Sequence, residues 1–129
     1  MRFPHPDSKG YNNTSFVAVD FGFEVQIDQL GQPDGADIHK TGAIYSFAAP
    51  TSLPVRPLGE WNAYHITVQG QHYIVRLNGI LVTDYTFVVG SDASHPDRGL
   101  PSTSAVPRFV GLQTHTGRVA FRNIQIKAL

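Results

Sequence analysis

The chain contains no cysteine and a single methionine. Disulfide frameworks, thiolate nucleophiles and cysteine-based metal sites are therefore excluded from its chemistry. It also lacks a charge bias, since ten basic and ten acidic residues cancel. No electrostatic footprint for nucleic acid or for an anionic membrane surface is present. No apolar run approaches the ~20 residues that cross a bilayer as a helix. The N-terminal Met-Arg-Phe-Pro-His-Pro lacks the apolar core of a signal peptide. The compartment is left open, with a periplasmic or secreted full-length form compatible with the chain.

What the chain does have is turn formers and β formers. Its 129 residues suit one domain with a single core. Twelve Gly and nine Pro, set among many Val, Ile, Phe and Tyr, indicate an all-β domain with frequent turns. Strand-like runs recur at residues 15–19, 22–28 and 41–47, and no stretch shows helical periodicity. Prolines at 50, 54 and 57 make the next segment an irregular connection, because proline lacks a ladder donor.

The clearest local signal lies at residues 64–85. Tyr64, Ile66 and Val68 alternate with His65, Thr67 and Gln69, and Gly70-Gln71 suits a two-residue type II′ turn. Residues 72–77 return as a second strand, and Asn78-Gly79, the preferred type I′ pair, sends the chain into a third. A three-stranded meander is predicted. Residues 90–107 form a long polar loop, of a length that is often functional or mobile. The last strands are predicted at residues 109–114 and 118–126, joined by a turn at His115-Thr116-Gly117. Antiparallel strands with one apolar face each indicate a two-sheet sandwich of the jelly-roll kind.

Residues 22–28, Gly-Phe-Glu-Val-Gln-Ile-Asp, carry the most pointed chemistry. In an extended strand successive side chains face opposite sides, so Glu24, Gln26 and Asp28 share one face and Phe23, Val25 and Ile27 the other. An acid, an amide and a second acid opposite a core face suggest a ligand-facing sheet; the alternative is an ordinary solvated strand face. Four residues of strand set the two acidic Cα atoms about 13 Å apart. Inclined side chains bring the carboxyls to roughly 6–9 Å, outside the ~5–5.5 Å of a retaining glycosidase and overlapping the range of an inverting one.

Six blocks then carry a resemblance. They are residues 22–28, Thr-Gly-Ala-Ile-Tyr at 41–45, Gly-Glu-Trp-Asn at 59–62, Leu-Asn-Gly at 77–79, Gly-Leu-Gln-Thr-His at 111–115 and Val-Ala-Phe-Arg-Asn-Ile at 119–124. In this order the chain resembles the 3-keto-disaccharide hydrolase domain family. The resemblance implies a concanavalin A-like sandwich, of the lectin and glucanase type, and action on glycosides oxidised at carbon 3. Family domains usually carry further N-terminal strands, so residues 1–129 correspond to the C-terminal two-thirds of one domain lacking N-terminal strands. A homodimer or a second chain is then expected to complete the sandwich. Family 16 glucanases also place their acids along one strand, but with a third acid where this chain has Gln26.

A carbonyl at carbon 3 acidifies the hydrogen at carbon 2, so elimination of the glycosidic oxygen needs one base and donors to the enolate. His115, which shares a strand face with Gly111 and Gln113, is one candidate base, and Glu24 is the other. Gln26, Tyr45 and Gln113 are candidates for binding hydroxyls or the enolate, and Arg2 for polarising the carbonyl. The polar core of the expected site is Glu24, Asp28 and His115, with no metal and no cofactor. His115 reads equally as a polar turn residue, and the whole fold serves non-catalytic carbohydrate-binding modules as well as enzymes. Trp61 could offer a sugar-stacking platform, but Trp61, Tyr64 and Ile66 are expected in the core. Asp34, Asp37 and His39, like Asp92, His95 and Asp97, have the side chains to hold a cation, but neither set follows a recognised ligand spacing and acidic turns are the favoured reading.

Overall fold

The computed structural model describes residues 2–3, 17–99 and 109–129. Among the described residues the chain is all-β with antiparallel pairing, plus one short α-helix and a 3-10 turn at Asp37–His39. Strand β1 (Arg2–Phe3) pairs with β5 (Phe109–Val110), setting Arg2 opposite Val110. Strands β2 (Tyr64–Gln69), β3 (His72–Leu77) and β4 (Ile80–Thr86) form the predicted meander in that order. The connecting turns follow the expected chemistry. Gly70 alone takes a positive φ, +59°, in the first turn, as type II′ requires, whereas Asn78 (+51°) and Gly79 (+82°) both do so in the second, as type I′ requires.

The inner face of the meander makes the core. Tyr73, Val75, Leu77 and Val82 are buried together with Phe23, Ile44 and Phe87. A register shift at Val75/Arg76 leaves Val82 without a partner on β3, so Val82 and Thr83 are buried side by side although they are sequence neighbours. That bulge ties the sheet to the preceding segment. Thr83 Oγ1 donates to Gly42 O at 2.8 Å, and Thr51 N donates to Val82 O at 2.7 Å. Gly42 has φ +92°, and a Cβ there would sit 3.0 Å from Val82 Cγ2. Only glycine fits that crossing without strain.

The acidic run is an irregular hairpin arm rather than a regular strand. Residues 24–28 and 41–45 exchange four backbone hydrogen bonds, Tyr45 N to Glu24 O, Gln26 N to Ala43 O, Gly42 N to Gln26 O and Thr41 N to Asp28 O, all of 2.8–3.0 Å. Phe23 reaches the core and Val25 packs against it, but Ile27 is 49% exposed, so the apolar stripe ends one residue early. Tyr64 Oη donates to Gln26 O at 2.8 Å, fastening the arm to β2.

Three expectations are corrected. Residues 15 and 16 of the first predicted strand lie outside the described residues, and Val17–Phe21 forms a single helical turn, α1. A run that short has no periodicity, and Arg98 donates to the carbonyl of Val19 within it and to that of Gly22 just beyond it. Second, of residues 109–126 only Phe109–Val110 is strand. Residues 112–126 form no ladder with the described residues, and Leu112, Ile124 and Ile126 are exposed. A strand needs a backbone partner, which an alternating pattern alone does not supply. Third, Trp61 and Ile66 are half-exposed; Trp61 instead lies under the Arg122 guanidinium, 3.9 Å from its ring centre, and Tyr64 alone of the three packs on the core. Residues 100–107 of the polar loop lie outside the described residues.

The proline-rich connection is stapled by the second turn. Asn78 Nδ2 donates to Pro54 O and to Asn62 Oδ1, both at 2.8 Å, while Asn78 Oδ1 accepts from Ala63 N at 2.9 Å. Asn62 Oδ1 also accepts from Arg56 N.

Candidate functional site

A cleft of about 440 Å³ opens beside the N-terminal end of the acidic arm. Its polar lining comes from Glu24, Tyr45 and Ser46 on one side and from Ser91, Asp92, Ser94, His95 and Arg98 on the other. Phe23 and Phe47 form its apolar base. In the first group Glu24 and Tyr45 sit on the hairpin of residues 24–28 and 41–45 and Ser46 directly follows it; the second comes from the loop that follows β4.

Arg98 joins the two halves. Its side chain is buried, with Nε donating to Asp92 Oδ2 at 2.8 Å and one terminal nitrogen donating to Val19 O at 2.9 Å and to Gly22 O. The same guanidinium lies over the rings of Phe47 and Phe23, at 5.1 and 5.7 Å from their centres. A planar cation with several donors can serve carbonyls, a carboxylate and two aromatic faces at once, which lysine cannot. Desolvation works against the charge on Asp92. Hydrogen bonds from Arg98 and from the Ser94 and His95 amides outweigh it and hold the carboxyl below its usual range.

His95 stands between two acids. Its Nδ1 lies 3.5 Å from Asp92 Oδ2 and its Nε2 lies 3.8 Å from Asp20 Oδ1, and its ring meets Phe21 edge-on. These separations allow charge attraction but exceed hydrogen-bond length.

Among the residues singled out from the sequence, Glu24 and Tyr45 line this cleft. Burial raises the pKa of Glu24 above its ordinary value, and attraction to His115 opposes the shift. His115 itself lies in an exposed segment and is not among the described residues that line the cleft. The backbone of Arg2 lies opposite Val110, on the strand that leads toward Gln113 and His115. Gln113 is exposed in that same segment. Gln26 is half-buried, and its Oε1 accepts from Ile27 N at 3.2 Å.

Asp28 is engaged elsewhere. Leu30 N and Gln32 N donate to its two carboxylate oxygens at 2.8 and 2.9 Å. Slight desolvation would raise its pKa, but these bonds and one from Gly31 dominate and lower it. Asp28 thus organises the start of the 29–40 loop, and it is not among the described residues that line the cleft.

Asp92 and His95 carry only a weak cation reading in the sequence and Arg98 none, because they sit in an aperiodic loop whose place is set by Arg98 contacts to residues 76 and 79 positions earlier in the chain. The only signal was the length and polarity of that loop. Among the described residues, no cluster of three or more His, Asp or Glu side chains is arranged to hold a metal ion.

Comparison with known proteins agrees with the sequence resemblance. A crystal structure from Parabacteroides distasonis ATCC 8503, of a protein named "putative glycosyl hydrolase", is 33% identical with a TM-score of 0.50, covering 58% of this chain and 40% of that one. A second structure from the same organism, of a protein with the same name, is 22% identical with a TM-score of 0.41, covering 57% and 35% respectively. The chain therefore spans well under half the length of either. No curated protein matches it. Residues 5–127 match the profile of the 3-keto-alpha-glucoside-1,2-lyase-like domain, and the chain belongs to that family.

Proposed function

We propose that the domain acts on glycosides and cleaves 3-keto-glycosides by elimination followed by hydration, with Glu24 as the base. One observation carries this reading: Glu24 is a half-buried carboxylate on the wall of a cleft, made more basic by desolvation, in a chain of the lyase-like family. Removing a carbon-bound proton beside a carbonyl needs a single base of raised pKa and a donor toward the enolate oxygen.

In this scheme Glu24 takes the proton from carbon 2 of the oxidised sugar. The C–H electron pair forms the C2=C3 bond of an enolate whose charge sits on the carbon-3 oxygen; collapse of the enolate restores the carbonyl, makes the C1=C2 double bond and breaks the C1–O bond. The departing oxygen leaves with its electron pair and takes a proton, for which His115 is the proposed source. Tyr45, whose side chain lines the same cleft, donates to the enolate oxygen. Addition of water across the double bond then gives the net outcome of hydrolysis. Gln26, Gln113 and Arg2 are assigned to the hydroxyls and the carbonyl of the sugar, and Asp28 to the loop behind the arm.

The test is release of the aglycone from an aryl 3-keto-α-glucoside by the purified chain. Glu24→Gln should lower kcat by about 10²- to 10⁴-fold, the usual contribution of a general base. Deuterium at carbon 2 should slow the wild-type reaction. Saturable sugar binding without turnover would overturn the catalytic reading in favour of a binding module, and an unchanged rate in Glu24→Gln would remove Glu24 from its role.

A further inference from the structure

A second constellation lies at the rim of the same cleft, outside the elimination scheme. Asp34 Oδ1 lies 2.7 Å from His39 Nδ1, and His39 Nε2 lies 3.2 Å from Ser46 Oγ. Ser46 lines the cleft. An aspartate, a histidine and a serine in this sequence of contacts have the mutual geometry of an activated nucleophile, its base and the group that orients the base.

The local fold holds the three in place. Asp34 Oδ1 also accepts from Ala36 N at 3.0 Å, which fixes the carboxylate over the 3-10 turn Asp37–His39. His39 N donates to Ala36 O at 2.9 Å, and Ser46 N donates to Ile38 O at 3.1 Å, so the backbone beside the histidine is bonded directly to the backbone of the serine. The Tyr45 ring lies against the imidazole, 4.6 Å between centres, and only 12% of the histidine side chain is exposed. Ser46 itself has φ +64°, a strained conformation for a residue with a Cβ. Backbone strain of this kind collects at functional sites, and here it belongs to the residue that carries the hydroxyl.

Protonation follows from the contacts. The Asp34 carboxyl is held below its ordinary pKa by the Ala36 amide and by His39, so it stays ionised and accepts the Nδ1 proton. With Nδ1 on the carboxylate, Nε2 is the ring nitrogen that faces the Ser46 hydroxyl.

We propose that Asp34, His39 and Ser46 form a nucleophilic relay that hydrolyses small carboxylic esters at the mouth of the cleft. Ser46 Oγ attacks the ester carbonyl carbon and its proton passes to His39 Nε2. The tetrahedral intermediate collapses with cleavage of the bond to the alkoxy oxygen, which takes that proton and departs as the alcohol. Water then attacks the acyl-serine, His39 accepts its proton and returns it to Ser46, and the carboxylic acid leaves. Charge on the carbonyl oxygen develops in a cleft whose wall also carries Arg98, Ser91 and Ser94. The activity is separate from sugar elimination, and its test uses no sugar, so either reading can fail alone.

The purified chain is treated with a fluorophosphonate, a serine-directed probe, and the labelled peptide is identified by mass spectrometry. Hydrolysis of p-nitrophenyl acetate is followed in parallel. One adduct per chain on Ser46 is expected. Ser46→Gly keeps the backbone at ease, because glycine accepts φ +64°, and should lose both labelling and ester turnover while its circular dichroism is unchanged. Asp34→Asn and His39→Asn should slow labelling by about 100-fold or more. No adduct on Ser46, an adduct elsewhere, or ester turnover in Ser46→Gly equal to wild type would overturn the proposal. A hydroxyl that merely completes a turn forms no covalent adduct at all.

Discussion

Replacing Arg98 by methionine removes the side chain that joins the helix end, the arm and the loop around the cleft. The methionine keeps most of the apolar stem but none of the donors. Three charge-assisted hydrogen bonds are lost, to Asp92, Val19 O and Gly22 O, together with cationic contacts to Phe23 and Phe47. Each such bond contributes about 1.5–3 kcal/mol by itself. Their sum overshoots, because they share one group and the released acceptors lie near the cleft, where water can reach some of them. Breaking a buried ion pair by deleting one partner costs about 3–5 kcal/mol, and that range is the better guide. In a domain of this size 1 kcal/mol moves Tm by roughly 2–8 °C. A fall of at least about 6 °C is therefore expected in thermal unfolding followed by circular dichroism. Arg98→Lys should fall less, because one ammonium can still pair with Asp92 but cannot serve both carbonyls and two ring faces. A methionine variant within 2–3 °C of wild type, by the same conversion, would refute the view that this guanidinium holds the cleft together.

Two further outcomes follow from the same reasoning. Glu24 has its pKa raised in the fold by burial, so the stability tied to its neutral form is present below its unfolded pKa and is lost as pH rises through the folded value. Glu24→Gln should therefore be more stable than wild type at pH 7, with the gap closing as the pH falls below the ordinary carboxylate range; urea unfolding at both pH values checks this, and a less stable variant at pH 7 contradicts it. Gly42→Ala should cost about 2–4 kcal/mol in the same measurement, since a Cβ meets Val82 at a positive φ; a neutral result would show that the bulge on β4 can yield.

Much of the sheet was legible in the chain. The meander could be read because period-2 alternation and two glycine-bearing turns made the same statement at different levels. The site was legible only in part. Glu24 and Tyr45 stood out because they lie in patterned segments, whereas Arg98 and His95 act through contacts that no local pattern encodes. Residues 112–126 show the converse failure. Their alternation reads as a strand, but strand formation is settled by a partner, and alternation says nothing about whether one is in place. Val17–Phe21 is too short for either period to speak, and its tie to Arg98 comes from far along the chain.

The asparagine of the second hairpin turn couples two parts of the chain that the sheet leaves separate. Its amide reaches Pro54 and Asn62 only while the turn holds Asn78 at φ +51°. Closing the hairpin and docking the proline-rich connection are thus one event: whenever the turn opens, residues 54–63 lose their anchor with it. A segment with no ladder of its own borrows the cooperativity of the meander, and its lifetime in place is set by a turn that lies 15 residues beyond Ala63.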